Sequence, residues 1–255
     1  MSAATNGIGR ECREAVAGAT QFGRVAVLLG GYSSERRVSL DTGAAVLAAL
    51  RSRGIDATAW DPAGETLQAF AEARFDRAFI ALHGPGGEDG AIQGALQWLS
   101  VAYTGSGVLA SALAMDKVRS KRLFQAAGID TPEFEVLHTS RDAVPAADRL
   151  GYPLVLKPAG QGSSVGMTKV FDADELQEAA ELALGFGEPA IAERCITGEE
   201  ITVAVLQGEA LPSIRIVTPR VFYDYRAKYE ADTTQYFCPG TKNADEETRY
   251  ARIAV

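Results

Sequence analysis

A lysine, three glycines and two serines stand within the ten residues from Lys157 to Gly166, KPAGQGSSVG. The apolar run Leu154-Val155-Leu156 comes just before, so a strand delivers the lysine into a loop of small residues. Backbone N–H groups of such a loop can converge on an anion, because few side chains block the approach. Lys157 would add a point charge. The chemistry this pattern fits is phosphate binding, with Ser163 and Ser164 inside the loop. Lys117, just inside a predicted helix start, is a second cation of the same kind. Either lysine alone reads equally as a surface cation snorkelling from an element end. The buried, apolar strand around Lys157 tips its reading toward phosphate.

The same loop spells G-x-S-x-G over residues 162–166, and the stretch from His83 to Gly87 looks like an oxyanion loop. A nucleophile elbow, however, runs from a strand into a helix, with its acid and histidine further along the chain. Residues 167–171 read as a strand, and no histidine follows His138, so Ser164 has no base to activate it. A dinucleotide site fits no better. Gly30-Gly31 ends the first strand and Asp61 the second, but G-x-G-x-x-G and the Walker sequence are both absent.

Other residues carry two readings each. His83 ends a parallel strand, where open α/β sheets place ligands, and it also reads as a loop-capping histidine. Glu35 opens a helix, where an acid simply complements the dipole. Glu199 and Glu200 form an acidic turn. Lys228 and Tyr229 border a long polar stretch, 229–243, broken by Pro239-Gly240; a loop of that length is functional or disordered.

The elements that must position these groups follow from periodicity. Strands are expected at 24–29, 55–60, 78–82 and 101–103, with helices from about Glu35, over Leu67 and Phe70, and at 91–99. This alternation predicts a parallel sheet with helices on its faces. From Asp116 the pattern changes. A helix to about Ala127 is followed by a strand at 134–137, a helix at 143–150, and strands at 154–157 and 167–171 that form an antiparallel hairpin. A helix starting at Asp172, strands at 190–194, 200–206 and 210–217, and a helix at 244–255 complete an α+β half. The expected division is a loose tail at 1–22, a Rossmann-like domain at 23–115, a central lobe at 116–195 and a last lobe at 196–255, with a lid loop at about 222–243. Asp245, Glu246 and Glu247 read as solvated charge.

The 255 residues carry a net charge of -8, with 47% apolar and 23% charged residues. That balance argues against a nucleic-acid partner, which calls for basic stripes. No apolar run approaches the roughly 18 residues of a membrane span. Three cysteines without a C-x-x-C, and only two histidines, argue against a disulfide framework and a histidine-rich metal site.

Taken in order, residues 25–40 (VAVLLGGYSSERRVSL), 79–90 (FIALHGPGGEDG), 103–121 (YTGSGVLASALAMDKVRSK), 156–167 (LKPAGQGSSVGM) and 222–239 (FYDYRAKYEADTTQYFCP) resemble the D-alanine–D-alanine ligases of the ATP-grasp superfamily. The resemblance runs from about Arg24 onward without large gaps. It implies a Rossmann-like domain followed by an ATP-grasp pair of α+β lobes. It implies an ATP-dependent reaction that joins two D-alanines through an acyl phosphate, with Mg2+ or Mn2+ required, for peptidoglycan precursors in the cytoplasm. A homodimer is implied, with no nucleic-acid or membrane partner.

By the same resemblance, Lys117 and Lys157 contact ATP phosphates, and the Ser163 loop covers them in a network with Tyr229 and Glu35. Glu35 also neutralises the first alanine's ammonium, and His83 sits near the transferring group. Glu193 and the backbone to Ile196 meet the adenine, and Glu200 holds the ribose. Lys228 and Tyr229 lie on the lid. Relatives that make a D-lactate ester lack that Lys-Tyr pair, so the dipeptide is the expected product. Two departures stand out: Ala159-Gly160-Gln161 replaces larger or charged residues, and the family's metal ligands would fall beyond Val255. The chain is therefore expected to be a fragment without its metal site. The alternative is a non-catalytic nucleotide-binding relative.

Overall fold

The computed structural model describes residues 18–187, 189–219 and 233–255. It divides between Asp116 and Lys117 into two compact units.

The first unit is built on strands β1 (Arg24–Leu28), β2 (Asp56–Trp60), β3 (Arg77–Ile80) and β4 (Ala102–Tyr103), all parallel and ordered β2-β1-β3-β4. The continuous apolar run of β1 has a simple cause. Val25, Val27 and Leu29 join one core cluster while Ala26 and Leu28 join the other, so both faces of the strand are buried. Helix α1 (Arg36–Ser52) covers the first face with Val46, Leu47 and Leu50. Helices α2 (Leu67–Ala73) and α3 (Ala91–Trp98) supply Phe70 and Leu96 to the other, where Trp60, Phe70 and Phe75 pack edge-on or tilted. Chain order reverses between β1 and β3. Residues 30–35 and 83–90 follow the carboxyl ends of these two strands, the crevice in which such sheets bind ligands. Ahead of β1, Ala19–Phe22 forms one 3-10 turn, held where Arg77 donates to the carbonyls of Gln21 and Phe22.

The run beginning Val108-Leu109-Ala110 forms helix α4 (Val108–Met115), an element the sequence pattern left unassigned. VLASALAM is apolar almost all round, so it shows no polar face to reveal a helical period.

In the second unit, α5 (Lys117–Ala126) leads to an antiparallel sheet ordered β5-β8-β6-β7, formed by β5 (Phe134–Leu137), β6 (Leu154–Pro158), β7 (Thr168–Val170) and β8 (Ala190–Arg194). One face carries Leu154, Leu156, Val170, Ala190 and Ala192 against α6 (Ala143–Leu150) and α7 (Leu176–Leu184). Strand period then sends Val155, Lys157 and Glu193 to the opposite face. The hairpin expected around the glycine-serine loop is present, since β6 and β7 pair antiparallel on either side of it. A strand, not a helix, follows Ser164, which removes the elbow geometry.

Two expected strands are each broken in two. The first becomes β9 (Glu200–Thr202) and β10 (Val205–Leu206), and the second β11 (Glu209–Ala210) and β12 (Ile214–Val217). Gln207 and Gly208 turn β10 back on β11 with φ of 54° and 83°. Pro212, which has no N–H to give a ladder, lies in the gap before β12. Strand β12 then pairs with β9 and with β13 (Gln235–Phe237).

Helix α8 (Ala244–Ala254) opens on Asn243, whose side chain accepts from the Glu246 N–H. Glu247 is not solvated charge, as its sequence context implied. It accepts from the Ser213 N–H and hydroxyl, both at 2.6 Å, and from the Thr241 hydroxyl at 2.7 Å. The Ser213 side chain and backbone, and then Thr241, hold this carboxyl below its ordinary pKa. A depressed folded-state pKa adds stability that is present above the ordinary glutamate value and lost as pH falls through the folded value. Glu247→Gln should thus melt earlier than wild type at pH 7, with the gap narrowing in acid. A gap independent of pH would show that the charge is not involved.

Candidate active site

The glycine-serine loop hangs from β6. The Val165 N–H donates to the Gly162 carbonyl at 3.0 Å, and the two residues between, Ser163 and Ser164, have φ of 49° and 61°. Left-handed backbone costs a residue with a side chain about 1 kcal/mol or more. Strain of this kind collects at ligand-holding loops, where surrounding structure over-determines it. Gly166 closes the loop at φ 68°, and a Cβ there would lie 2.5 Å from the Phe186 ring and 2.9 Å from Pro158. Gly166→Ala should destabilise the loop by about 1–3 kcal/mol. Loss of ATP affinity with an unchanged melting temperature would show the damage confined to the loop; no change in either would contradict the packing argument.

Lys117 begins α5, where a cation opposes the helix dipole. The loop compensates. The Lys117 ammonium donates to the Ala159 carbonyl at 3.3 Å and to the Gln161 carbonyl, while its backbone N–H donates to Ala159 at 3.0 Å. Lys117 is thus tied to the limb of the loop next to Lys157.

Lys157 and Glu193 are diagonal neighbours on β6 and β8, and their side chains are hydrogen-bonded. The other carboxylate oxygen of Glu193 takes Lys121 at 3.0 Å. Lys121, 6% exposed, also donates to Thr131 Oγ1 at 2.7 Å and lies 5.0 Å from the centre of the Phe134 ring. Sequence reasoning missed it. The available signal was its place one helical turn after Lys117, which puts both ammoniums on one face of α5.

Glu193, Ile196 and Glu200 line one cavity of about 340 Å³, together with Val155, Met167 and Lys169. This size falls in the range of small-molecule sites. So three residues expected at a nucleoside converge on one cavity, Lys157 is bonded to its Glu193, and Lys117 is bonded to the loop after Lys157.

In the first unit, Glu35 is 2% exposed. The Ser33 hydroxyl accepts from the Glu35 N–H at 3.2 Å and donates to the His83 carbonyl at 2.7 Å, tying the loop after β1 to the loop after β3. Gly84, at φ 68°, lets the Glu35 carboxylate in: a Cβ there would sit 2.7 Å from Glu35 Oε2. Fully buried Ser39 makes a second tie, accepting from the Gly30 N–H and donating to the Ala81 carbonyl. The His83 ring stands 3.3 Å from the Thr42 hydroxyl and 3.6 Å from the Glu88 carboxylate. The Glu88 side chain keeps 45% of its exposure. Even so, its surroundings exclude enough water to raise its carboxyl above the ordinary value, and the Glu35 carboxylate adds to the rise. Asp61, which ends the second strand, is held by Arg36 at 2.7 and 3.1 Å, which keeps its pKa low. A cavity of about 370 Å³, walled by Leu28, Trp60, Phe70 and Leu96, opens beside His83. Lys228 and Tyr229 lie outside the described residues.

The family model described as D-ala D-ala ligase C-terminus matches residues 123–255, and that described as D-ala D-ala ligase N-terminus matches 57–106. The chain is 54% identical over 228 residues to a D-alanine–D-alanine ligase of Stutzerimonas stutzeri, covering 89% of this chain and 73% of that one. It is 49% identical over 240 residues to the Pseudoalteromonas atlantica ligase, covering 92% and 75%. The crystal structure of the Bacillus anthracis D-alanine–D-alanine ligase complexed with ATP superposes with a TM-score of 0.73 at 32% identity, over 91% of this chain and 76% of that one. The VanG D-Ala:D-Ser ligase of Enterococcus faecalis does so with a TM-score of 0.73 at 29% identity, over 91% and 79%.

A Rossmann-like unit followed by a mixed unit with a lysine-bearing hairpin loop is the architecture of the ATP-grasp ligases. This chain belongs to the D-alanine–D-alanine ligase family.

Proposed function

We propose that the protein joins two D-alanines to D-alanyl-D-alanine at the expense of ATP, supplying peptidoglycan precursors. One carboxylate takes the γ-phosphoryl group to give an acyl phosphate. The amine of the second D-alanine displaces phosphate, and ADP is released. The observation that carries this reading is the cavity lined by Glu193, Ile196 and Glu200, with Lys157 bonded to Glu193 and a strained serine loop hung from the same strand, in a chain 54% identical to a ligase of this name.

In this reading Glu193 and the backbone to Ile196 take the adenine, and Glu200 takes the ribose. Lys117, Lys157 and the Ser163-Ser164 loop take the phosphates. A carboxylate approaching a triphosphate meets like charge, which the two ammoniums and the loop amides offset. Glu35, buried beside the bare Gly84, neutralises the ammonium of the first D-alanine, and His83 is assigned to substrate binding with it. Lys228 and Tyr229, expected on the lid that keeps water from the activated acid, lie outside the described residues. Mg2+ or Mn2+ belongs to the reaction. Among the described residues, though, no group of three or more His, Cys, Asp or Glu is placed to hold an ion, so no residue here is assigned to it. We place the protein in the cytoplasm as a homodimer, without a nucleic-acid or membrane partner. The net charge of -8 supports the former absence; among the described residues, no helix is long and apolar enough to cross a membrane.

The test is product analysis with ATP, D-alanine, D-serine and D-lactate offered together at neutral pH. D-Alanyl-D-alanine should dominate. A D-serine- or D-lactate-containing product in excess would overturn the assignment of the second substrate.

A further inference from the structure

The Glu193 carboxylate is shared between two lysines, and the two lysines differ. Lys157 stands at a strand end beside the loop and keeps 21% of its side-chain exposure, whereas Lys121 keeps 8% and is fixed by Thr131 and the Phe134 ring. The Glu193 side chain is 11% exposed. A carboxylate this buried cannot give up a counterion cheaply unless another remains. Yet Lys157 must leave Glu193, at least in part, if its ammonium is to meet a phosphate.

We propose that Lys121 is the positioning residue that makes this transfer possible: it retains the Glu193 carboxylate while Lys157 turns from Glu193 to the nucleotide phosphates. The proposal rests on the reading of this cavity as the nucleotide site. Lys121 touches neither nucleotide nor amino acid, and acts only through Glu193. With Lys121 removed, Lys157 is the one cation left on Glu193 among the described residues, and binding of a phosphate chain strands a buried charge. Binding of adenosine alone, which asks nothing of Lys157, is spared.

The experiment titrates ATP and adenosine separately into wild type, Lys121→Met, Lys121→Arg and Glu193→Gln. Lys121→Met should weaken ATP about tenfold or more while adenosine changes far less. Lys121→Arg, which keeps the cation, should hold ATP affinity within about threefold of wild type. Glu193→Gln removes the charge that competes for Lys157, so its preference for ATP over adenosine should rise above that of wild type. This last variant decides the question if Lys121→Met does not fold. Parallel weakening of ATP and adenosine in Lys121→Met would mark Lys121 as merely structural and overturn the proposal. So would an unchanged ATP affinity, or a Glu193→Gln preference no higher than wild type. Wild type that binds adenosine but not ATP would sink the phosphate role of Lys157, and wild type that binds neither would sink the nucleotide reading itself.

Discussion

Lys157→Ala lowers kcat/KM for ATP about a hundredfold or more, the scale seen when a preorganised charge is taken from a reacting phosphoryl or oxyanion group. Two losses combine. The ammonium at the end of β6 no longer offsets the triphosphate's charge, and the loop of Ser163 and Ser164 loses the one cation delivered by its own strand. The fold should survive, because Glu193 keeps Lys121 at 3.0 Å and β6 keeps Leu154 and Leu156 in the core. The variant should therefore melt near the wild-type temperature. Lys157→Arg should recover only part of the loss, since a planar fork does not reproduce a compact ammonium. An ATP dependence like that of wild type would show that Lys157 is no more than Glu193's ion-pair partner.

Glu35→Gln raises the KM for D-alanine about tenfold or more and leaves ATP affinity nearly untouched. A hydrogen bond to a charged group contributes about 1.5–3 kcal/mol when desolvated, and each 1.4 kcal/mol is a factor of ten. Glu35 is 2% exposed at the crevice where strand order reverses, so water does little to screen it. The amide is nearly isosteric, so the space left by Gly84 remains filled and the ties through Ser33 and Ser39 remain intact. Steady-state kinetics with each substrate varied in turn checks this. A variant impaired in ATP rather than D-alanine would place Glu35 in a different role.

The alternation of strand and helix through residue 103 was legible because the strands of the first unit are short, carry apolar residues and are followed within a few residues by Gly, Pro or Asp. The hairpin around the glycine-serine loop was legible for the same reason, and with it the candidate phosphate site. Relations between distant residues were not. Nothing in the local pattern says that Lys121 on α5 will meet Glu193 on β8, because strand register and helix packing decide it together. Nor does it say that Asp61 will anchor Arg36, a contact 25 residues away in sequence. Glu247 looked like surface charge because its partners, Ser213 and Thr241, come from loops whose positions depend on β12. Helix α4 escaped because apolar residues on every side erase the period. The breaks in the strands at 200–206 and 210–217 fall at 203–204 and 211–213, where only Pro212 carries a local signal, and a lone proline reads equally as an edge position within a continuous strand.

The most direct test of the central claim, that the β6 lysine and its serine loop hold a nucleoside triphosphate, is a calorimetric titration of ATP into the wild-type chain and into Lys157→Ala. ATP should bind wild type at a single site and the variant about tenfold or more weakly, as loss of a charge-assisted contact requires. No ATP binding by wild type, or equal affinity in the two proteins, would contradict the account.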